Sequence, residues 1–253
     1  MEGTYYEPFL GGGAVFFHLC PRKAVLSDVC GGLVEAYKVA KAQPGELLKA
    51  VRRLRVTKEE YKRVRGSAPR SALGRAARFL YLNRTAFGGM YRVNQEGWFN
   101  VPYGGGDRTP APLWERRLVA SAVAILRHAS IASGDFEKFV DRATRGDVVY
   151  CDPTYTVARS DSGFARYNEK HFSWADQERL AAAASRAAGR GATVLVSNAH
   201  HWSIQRLYPD AEFHTLKRWS GVSAEPASRG EVTEYLIVVR PERKRRRVSA
   251  QKG

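Results

Sequence analysis

Apolar residues in this chain follow two periods in alternation. Short runs at Ala24-Val-Leu-Ser-Asp28, Val148-Val-Tyr-Cys151, Ala192-Thr-Val-Leu-Val-Ser-Asn198 and Glu234-Tyr-Leu-Ile-Val-Val239 have the length and apolar continuity of buried strands. In residues 35–41, 46–54, 72–82, 113–126 and 173–189, apolar positions recur every three or four residues, which lines one face of a helix. Ser173 is placed to cap the last of these, with Asp176 completing a variant capping box. Thr4-Tyr-Tyr-Glu7 adds a strand ahead of the glycine turn Gly11-Gly-Gly13 and a helix. Ala129-Ser-Ile-Ala-Ser133 adds another ahead of Gly134-Asp-Phe136. Strands alternating with helices predict a parallel sheet with helices on both faces, an α/β fold of Rossmann-like type.

The alternation breaks between residues 33 and 104. Three helical stretches follow one another with no strand between them, separated by basic, turn-rich pieces such as Arg63-Val-Arg-Gly-Ser-Ala-Pro-Arg70. They lead into residues 83–104, which are dense in Gly, Asn, Arg and aromatic side chains and read as an ordered loop or hairpin. The expected organisation is therefore a discontinuous Rossmann-like domain (1–40 and 127–240) with a helical insertion (41–126) that carries the hairpin. A basic disordered tail (241–253) follows.

Composition changes this picture in one respect. A hydrophobic fraction of 44% over 253 residues is ordinary for a globular domain, but 41 Lys and Arg against 25 Asp and Glu leave a net charge of +16. Such an excess favours a polyanion, nucleic acid before an anionic membrane surface. The tail Arg243-Lys-Arg-Arg-Arg247 contributes, yet basic residues are plentiful from Lys49 to Arg92 as well. The three cysteines, Cys20, Cys30 and Cys151, have no metal-ligand spacing and lie beside apolar segments, so buried reduced thiols and no metal are expected. No stretch is long and apolar enough for a membrane span, and Met1-Glu-Gly-Thr4 is no signal peptide. A cytoplasmic, nucleoid-associated protein is the expectation.

The candidate chemistry gathers where strands end. Asp147-Val-Val-Tyr-Cys-Asp-Pro-Thr-Tyr-Thr156 delivers a carboxylate, a rigid proline and an aromatic ring to the carboxyl end of a strand, where open α/β sheets bind ligands. Pro153 biases Asp152 towards an extended conformation, so the acid projects forward. The plainer reading is a strand followed by a proline turn. Asp28, about one βα unit after the glycine turn, suits two ribose hydroxyls, although it could instead cap the helix near Gly31. The glycine spacing is not that of a pyrophosphate loop, which points to a nucleoside-type cofactor without phosphates, such as S-adenosylmethionine. In the 83–104 block, Arg can read guanine edges and apolar tips can wedge between bases; a packed structural loop fits the same residues.

Taken in order, Glu7-Pro-Phe-Leu-Gly-Gly-Gly13, Ser27-Asp28, the 83–104 block, Gly134-Asp-Phe136, Asp152-Pro-Thr-Tyr155, Ser197-Asn198 and Glu231-Val-Thr-Glu-Tyr-Leu-Ile237 resemble the Dam-type (D12 class) DNA adenine N6-methyltransferases, from about Tyr5 to Val239. The resemblance implies a Rossmann-like methyltransferase with S-adenosylmethionine as methyl donor and a flipped adenine of double-stranded DNA as target, often within restriction-modification. It implies that Asp152, Pro153, Thr154 and Tyr155 are catalytic. Glu7, Pro8, Phe9, Gly11, Gly13, Asp28, Asp135, Phe136 and Asp152 would hold the cofactor, and Phe87, Met90, Arg92, Asn94 and Pro102 would meet DNA. A monomer is expected.

The chain departs from the family pattern at three places. Thr154 stands where the family has a second proline, and Gly88 where it often has Asn. The family usually opens with a Trp-Ala-Gly-Gly-Lys-type segment that closes over the cofactor, and none precedes Met1 in this sequence. A misassigned start, a segment supplied elsewhere or weakened cofactor binding would each account for that. A DNA-binding relic that no longer methylates is the alternative in another class, and methylation of RNA is a third reading.

Overall fold

The computed structural model describes residues 2–94, 96–106, 114–157, 172–220 and 230–241. The basic tail from residue 242 onward, and the polar, Gly-containing stretch 159–171 that reads from sequence as a loop over the site, lie outside the described residues. Seven strands form a sheet in the order β3-β2-β1-β4-β5-β7-β6. They are β1 (Tyr5–Glu7), β2 (Ala24–Asp28), β3 (Ala129–Ser133), β4 (Val148–Cys151), β5 (Thr193–Ala199), β6 (Glu212–Ser220) and β7 (Gly230–Val239). β1 and β4 pair in parallel with Tyr5 opposite Val148, as do β2 with β3 and β4 with β5. The strand order reverses between β1 and β4, and that switch point is where an α/β sheet of this type binds ligands.

The sheet departs from the expected all-parallel arrangement at one edge. β7 runs antiparallel between β5 and β6. β6 was not foreseen: Glu212-Phe-His-Thr-Leu-Lys217 interleaves polar with apolar residues, as an edge strand with a solvated face does, and it lacks the apolar run that marks the central strands. The fold class is α/β and Rossmann-like, with a mostly parallel sheet.

By contacts the chain divides into two compact units. The first holds β1, β4, β5, β6 and β7 with α7 (Phe136–Val140), α8 (Trp174–Gly189) and α9 (Trp202–Leu207). Its helix α8 starts where expected: Ser173 accepts from the Asp176 amide while Asp176 accepts from the Ser173 amide. That reciprocal cap satisfies two donors that the first turn leaves open. The buried stripe Leu180, Ala183, Ala184 and Ala187 is small enough to let the helix lie close on its strands. Arg179 and Arg186 cross from α8 to Glu137 on α7, holding that carboxyl below the usual range.

The second unit holds β2, β3 and the helices α1 (Ala14–Leu19), α2 (Gly31–Ala42), α3 (Pro44–Arg52), α4 (Lys58–Arg65), α5 (Ala72–Thr85) and α6 (Arg116–Leu126). The expected insertion 41–126 falls within it. One apolar cluster joins Ala36 and Val39 of α2, Leu47 and Val51 of α3, and Ala76 and Ala77 of α5. A second, around Tyr61, Tyr81, Phe99 and Val101, seats the hairpin. Helix α4 occupies a stretch read as basic and turn-rich. Six of its eight residues are charged, so only Tyr61 and Val64 bury, and Thr57 caps it by accepting from the Glu60 amide. Of the thiols only Cys151 is buried; Cys30 is partly exposed and Cys20 exposed, against the expectation. Cys20 closes α1 with φ of 46°, at the surface.

Candidate active site

In the first unit, apolar pairing carries β4 into the sheet and Cys151 is fully buried, its thiol pKa raised by burial. One residue later the chain surfaces at Asp152, then Pro153 turns back into the core and Thr154 is exposed. The strand therefore ends by presenting one carboxylate at the switch point. Glu7, at the end of neighbouring β1, is buried and accepts from the Tyr5 hydroxyl at 2.6 Å, and Pro8 is buried beside it. Burial, and after it that bond, push the Tyr5 pKa far above its ordinary value.

Side chains from other strands hold the segment after Asp152. The Tyr155 hydroxyl is 2.5 Å from Ser197 Oγ on β5 and donates to Glu234 Oε2 on β7 at 3.2 Å. Burial, with Asp152 and Glu234 nearby, keeps Tyr155 protonated well beyond the ordinary tyrosine range. Beneath it runs a second chain of bonds. Asn198 Nδ2 donates to Gln177 Oε1 at 2.8 Å, and Gln177 Nε2 donates to the Thr154 carbonyl at 3.4 Å; both side chains are completely buried. Thr156 Oγ1 donates to the Phe172 carbonyl at 2.6 Å. Phe136 is buried, with Phe172 against it and the Arg179 guanidinium over its ring at 4.9 Å.

In the second unit a loop is built around Asp28. Its Oδ2 accepts from the Gly11 amide at 3.0 Å and its Oδ1 from the Cys30 amide at 2.8 Å. The cap of α2 is Cys30, with no side-chain bond, so Asp28 does not cap that helix. Tyr37 pins the loop from α2 by donating to the Gly11 carbonyl. Gly11 (φ 44°) and Gly13 (φ 65°) adopt left-handed backbone that favours glycine. A Cβ built at Gly11 or Gly12 meets no protein atom within 4 Å, whereas at Gly13 it presses on Phe17 and Tyr37 at 3.1 Å. Phe9 is half-buried ahead of this loop, and Asp135 is exposed after Gly134, whose amide donates to the Asp28 carbonyl.

The same unit contains a cavity of about 510 Å³ that starts at Gly11 and Gly12 and runs between helices past Phe17, Leu47, Phe79 and Trp114. Its walls are almost wholly aliphatic and aromatic, and Asp28 is not among its described lining residues. A sugar or an amino-acid group needs hydrogen-bonding partners there, so the polar loop face, not the cavity, is the better match for a nucleoside cofactor.

The 83–104 block is a hairpin. Val93 bridges Phe99, Asn94 N–H donates to the Trp98 carbonyl, and Asn100 N–H donates to the Arg92 carbonyl. Opposite residues point the same way and neighbours alternate. Phe99 and Val101 thus face inward, anchored where Tyr61 donates to the Val101 carbonyl. Arg92, Asn94, Trp98, Asn100 and Pro102 face outward, and all are exposed. Phe87, whose amide donates to the Pro102 carbonyl, and Met90 are exposed as well. Asn94 Oδ1 accepts from the Glu96 and Trp98 amides, so it shapes the turn. Arg92 Nε donates to Asn100 Oδ1 at 2.8 Å.

Comparison with known proteins decides the family. Residues 2–222 match the D12 class N6 adenine-specific DNA methyltransferases. The chain belongs to that family. It is 36% identical over 244 residues to a type II methyltransferase of Lactococcus lactis subsp. cremoris, covering 92% of this chain and 85% of the relative. It is 33% identical over 242 residues to a DNA adenine methylase of Vibrio cholerae, covering 93% and 86%. The DNA adenine methylase of Escherichia coli strain K12 is 30% identical over 241 residues, covering 93% and 86%.

For this family member, the sequence reading brought Asp152, Pro153, Thr154 and Tyr155 together on one strand end, and Gly11, Gly13 and Asp28 on one loop. It missed two of the residues that hold them, Gln177 and Tyr37. Gln177 is an ordinary helix residue by pattern; only its burial at Asn198 and Thr154 gives it meaning. Among the described residues no group of three His, Cys, Asp or Glu side chains could hold a metal, and no helix is long and apolar enough to cross a membrane.

Proposed function

We infer that this chain transfers a methyl group from S-adenosylmethionine to N6 of adenine at specific sites in double-stranded DNA. The carrying observation is the exposed carboxylate of Asp152 at the β1/β4 switch point, followed by a segment whose carbonyl and aromatic ring are held from three other elements. Family membership supplies the substrate class, and the net charge of +16 suits a phosphate backbone.

The residues present fit the cofactor. At Gly11 and Gly12 the backbone is open to close approach, as a cradle for a ligand requires. Asp28 is oriented by two amides, and each of its oxygens keeps a lone pair for a ribose hydroxyl. Phe9, Gly11 and Gly13 are assigned to the methionine end, Asp28 to the ribose and Asp135 to the adenine; Glu7, Pro8 and Phe136 shape the segments that carry them. Bound there, S-adenosylmethionine supplies an electrophilic sulfonium methyl group.

The remaining chemistry belongs to the chain. An exocyclic adenine amine is delocalised into its ring and is a poor nucleophile. Asp152, with the Pro153 carbonyl, accepts the amine hydrogens and draws the nitrogen towards a tetrahedral, nucleophilic form. Positive charge develops on that nitrogen, so acceptors already in place stabilise the transition state more than the ground state. The base reaches them only when flipped from the duplex, and the Tyr155 ring, held by Ser197 and Glu234, gives it a face to stack on. The outer hairpin face, with Phe87, Met90, Arg92, Asn94 and Pro102, is assigned to the DNA, and a monomer suffices.

The test is to incubate the protein with S-adenosylmethionine and unmethylated duplex DNA and quantify nucleosides by mass spectrometry. N6-methyladenine is expected from the wild type and none from Asp152→Asn, with DNA binding retained. Undiminished methylation in Asp152→Asn would remove the acid from the mechanism.

A further inference from the structure

Trp98 belongs neither to the strand-end site nor to the Asp28 loop, yet it is held at the surface of the hairpin. It sits on the outer face of the hairpin, directly opposite Asn94 and two residues from Asn100, which holds Arg92. It is 49% exposed, whereas its neighbour Phe99 is buried on the inner face with Tyr61 and Tyr81. Phe87 and Met90 are exposed elsewhere on the hairpin, and exposed large apolar side chains on one element mark a binding surface. The outer face is not uniformly apolar. Arg92 spends Nε on Asn100, and among the described residues its remaining guanidinium donors have no partner.

A two-stranded ribbon fits the major groove of B-form DNA. There the base edges offer donors and acceptors, and one apolar group only, the 5-methyl of thymine. An outward arginine and an outward indole on one ribbon face therefore address different bases. Along a strand, two residues span about 6.8 Å, close to two base-pair steps. We propose that Trp98 is a specificity-determining residue that packs against a thymine 5-methyl group in the major groove, one or two base pairs from the base met by Arg92. This rests on the reading of the hairpin as the DNA-contacting face.

The experiment uses the full chain. Methylated adenines in DNA treated with the wild type give the recognition sequence. Duplexes are then made in which each nearby thymine is replaced singly by deoxyuridine, which deletes the methyl group and keeps the base pair. Expected is one position at which the replacement lowers wild-type kcat/KM roughly fourfold, the effect of losing one buried methyl. In Trp98→Ala that position should show no penalty, while Trp98→Phe should keep part of it and Arg92→Ala all of it. Absence of any sensitive position in the wild type, or the same penalty in Trp98→Ala, would overturn the proposal. If the wild type forms no N6-methyladenine, the functional reading fails; the preferred sequence is then selected by binding from random duplexes, and the same deoxyuridine replacements in it, titrated by fluorescence anisotropy, compare wild type with Trp98→Ala, equal effects rejecting the role of Trp98.

Discussion

Replacing Gln177 by methionine keeps the length of the side chain and removes its amide. Two hydrogen bonds go with it. The one from Asn198, at 2.8 Å, is short and completely buried, so its loss leaves the Asn198 amide without that acceptor in a dry site. An unsatisfied buried donor costs about 1–3 kcal/mol, set against a small gain from burying a less polar group. For a chain of this size that lowers Tm by roughly 2–12 °C. The bond to the Thr154 carbonyl is long, 3.4 Å, and adds little to stability, but it is one tie on the segment that follows Asp152 and Pro153. Its loss loosens the peptide next to the Pro153 acceptor carbonyl, and catalysis that depends on preorganised acceptors falls steeply with small misplacement. The expected result is at least a tenfold lower kcat with KM for DNA nearly unchanged, measured by methyl transfer at a temperature where circular dichroism shows Gln177→Met folded. A variant that loses stability but keeps its kcat would refute the positioning role, and an unchanged Tm would refute the burial accounting.

Three further outcomes follow from the same geometry. Arg92→Ala should cost about 1–3 kcal/mol of discrimination at one base if the arginine reads a guanine, seen by comparing kcat/KM on cognate and singly altered duplexes. Gly11→Ala places a methyl group where no protein atom lies within 4 Å, so it should weaken S-adenosylmethionine binding in calorimetry while costing about 1 kcal/mol of fold stability through its positive φ; unchanged binding would take the loop out of the cofactor site. Above pH ~10 the unfolded chain ionises its tyrosines while Tyr5, Tyr81 and Tyr155 stay protonated through burial and Tyr150 is pushed up to about 12. The folded state then holds more protons, so this stabilisation is complete below pH ~10 and is lost as pH rises through the folded values. Tm should decline from about pH 10, and absorbance titration should find late-titrating tyrosines; uniform titration of all twelve in the folded protein would contradict the burial.

What the sequence made legible was local. The run into Asp152-Pro153 announces a strand end because continuous apolar residues followed by proline leave few other conformations. Ser173 and Asp176 announce the start of α8 for a similar reason. The pieces that were missed depend on partners distant in sequence. Helix α4 hides because a charged octapeptide needs only Tyr61 and Val64 to anchor it, although Thr57 and Glu60 carried the cap signal. β6 hides because an edge strand tolerates polar residues on one face. Trp98 could be placed only once the pairing of Val93 with Phe99 set the register, since a slip by one residue would turn it inward.

The antiparallel position of β7 also bears on the order in which the protein is made. β6 leaves the ribosome before β7 but joins the sheet only through it, and β5 pairs with β7 from Val194 to Ala199. Until residue 239 has emerged, the hydrogen-bonding edge of β5 has nothing to close it, and β6 has no strand to join. A nascent chain therefore carries an open apolar edge for the time it takes to synthesise some forty residues, about two to eight seconds at 5–20 residues per second. Glu234 and its bond to Tyr155 arrive with the same strand, so the fully braced site exists only in the finished sheet. Slow translation across residues 200–239 is the interval in which the chain is most exposed to aggregation and most in need of a chaperone.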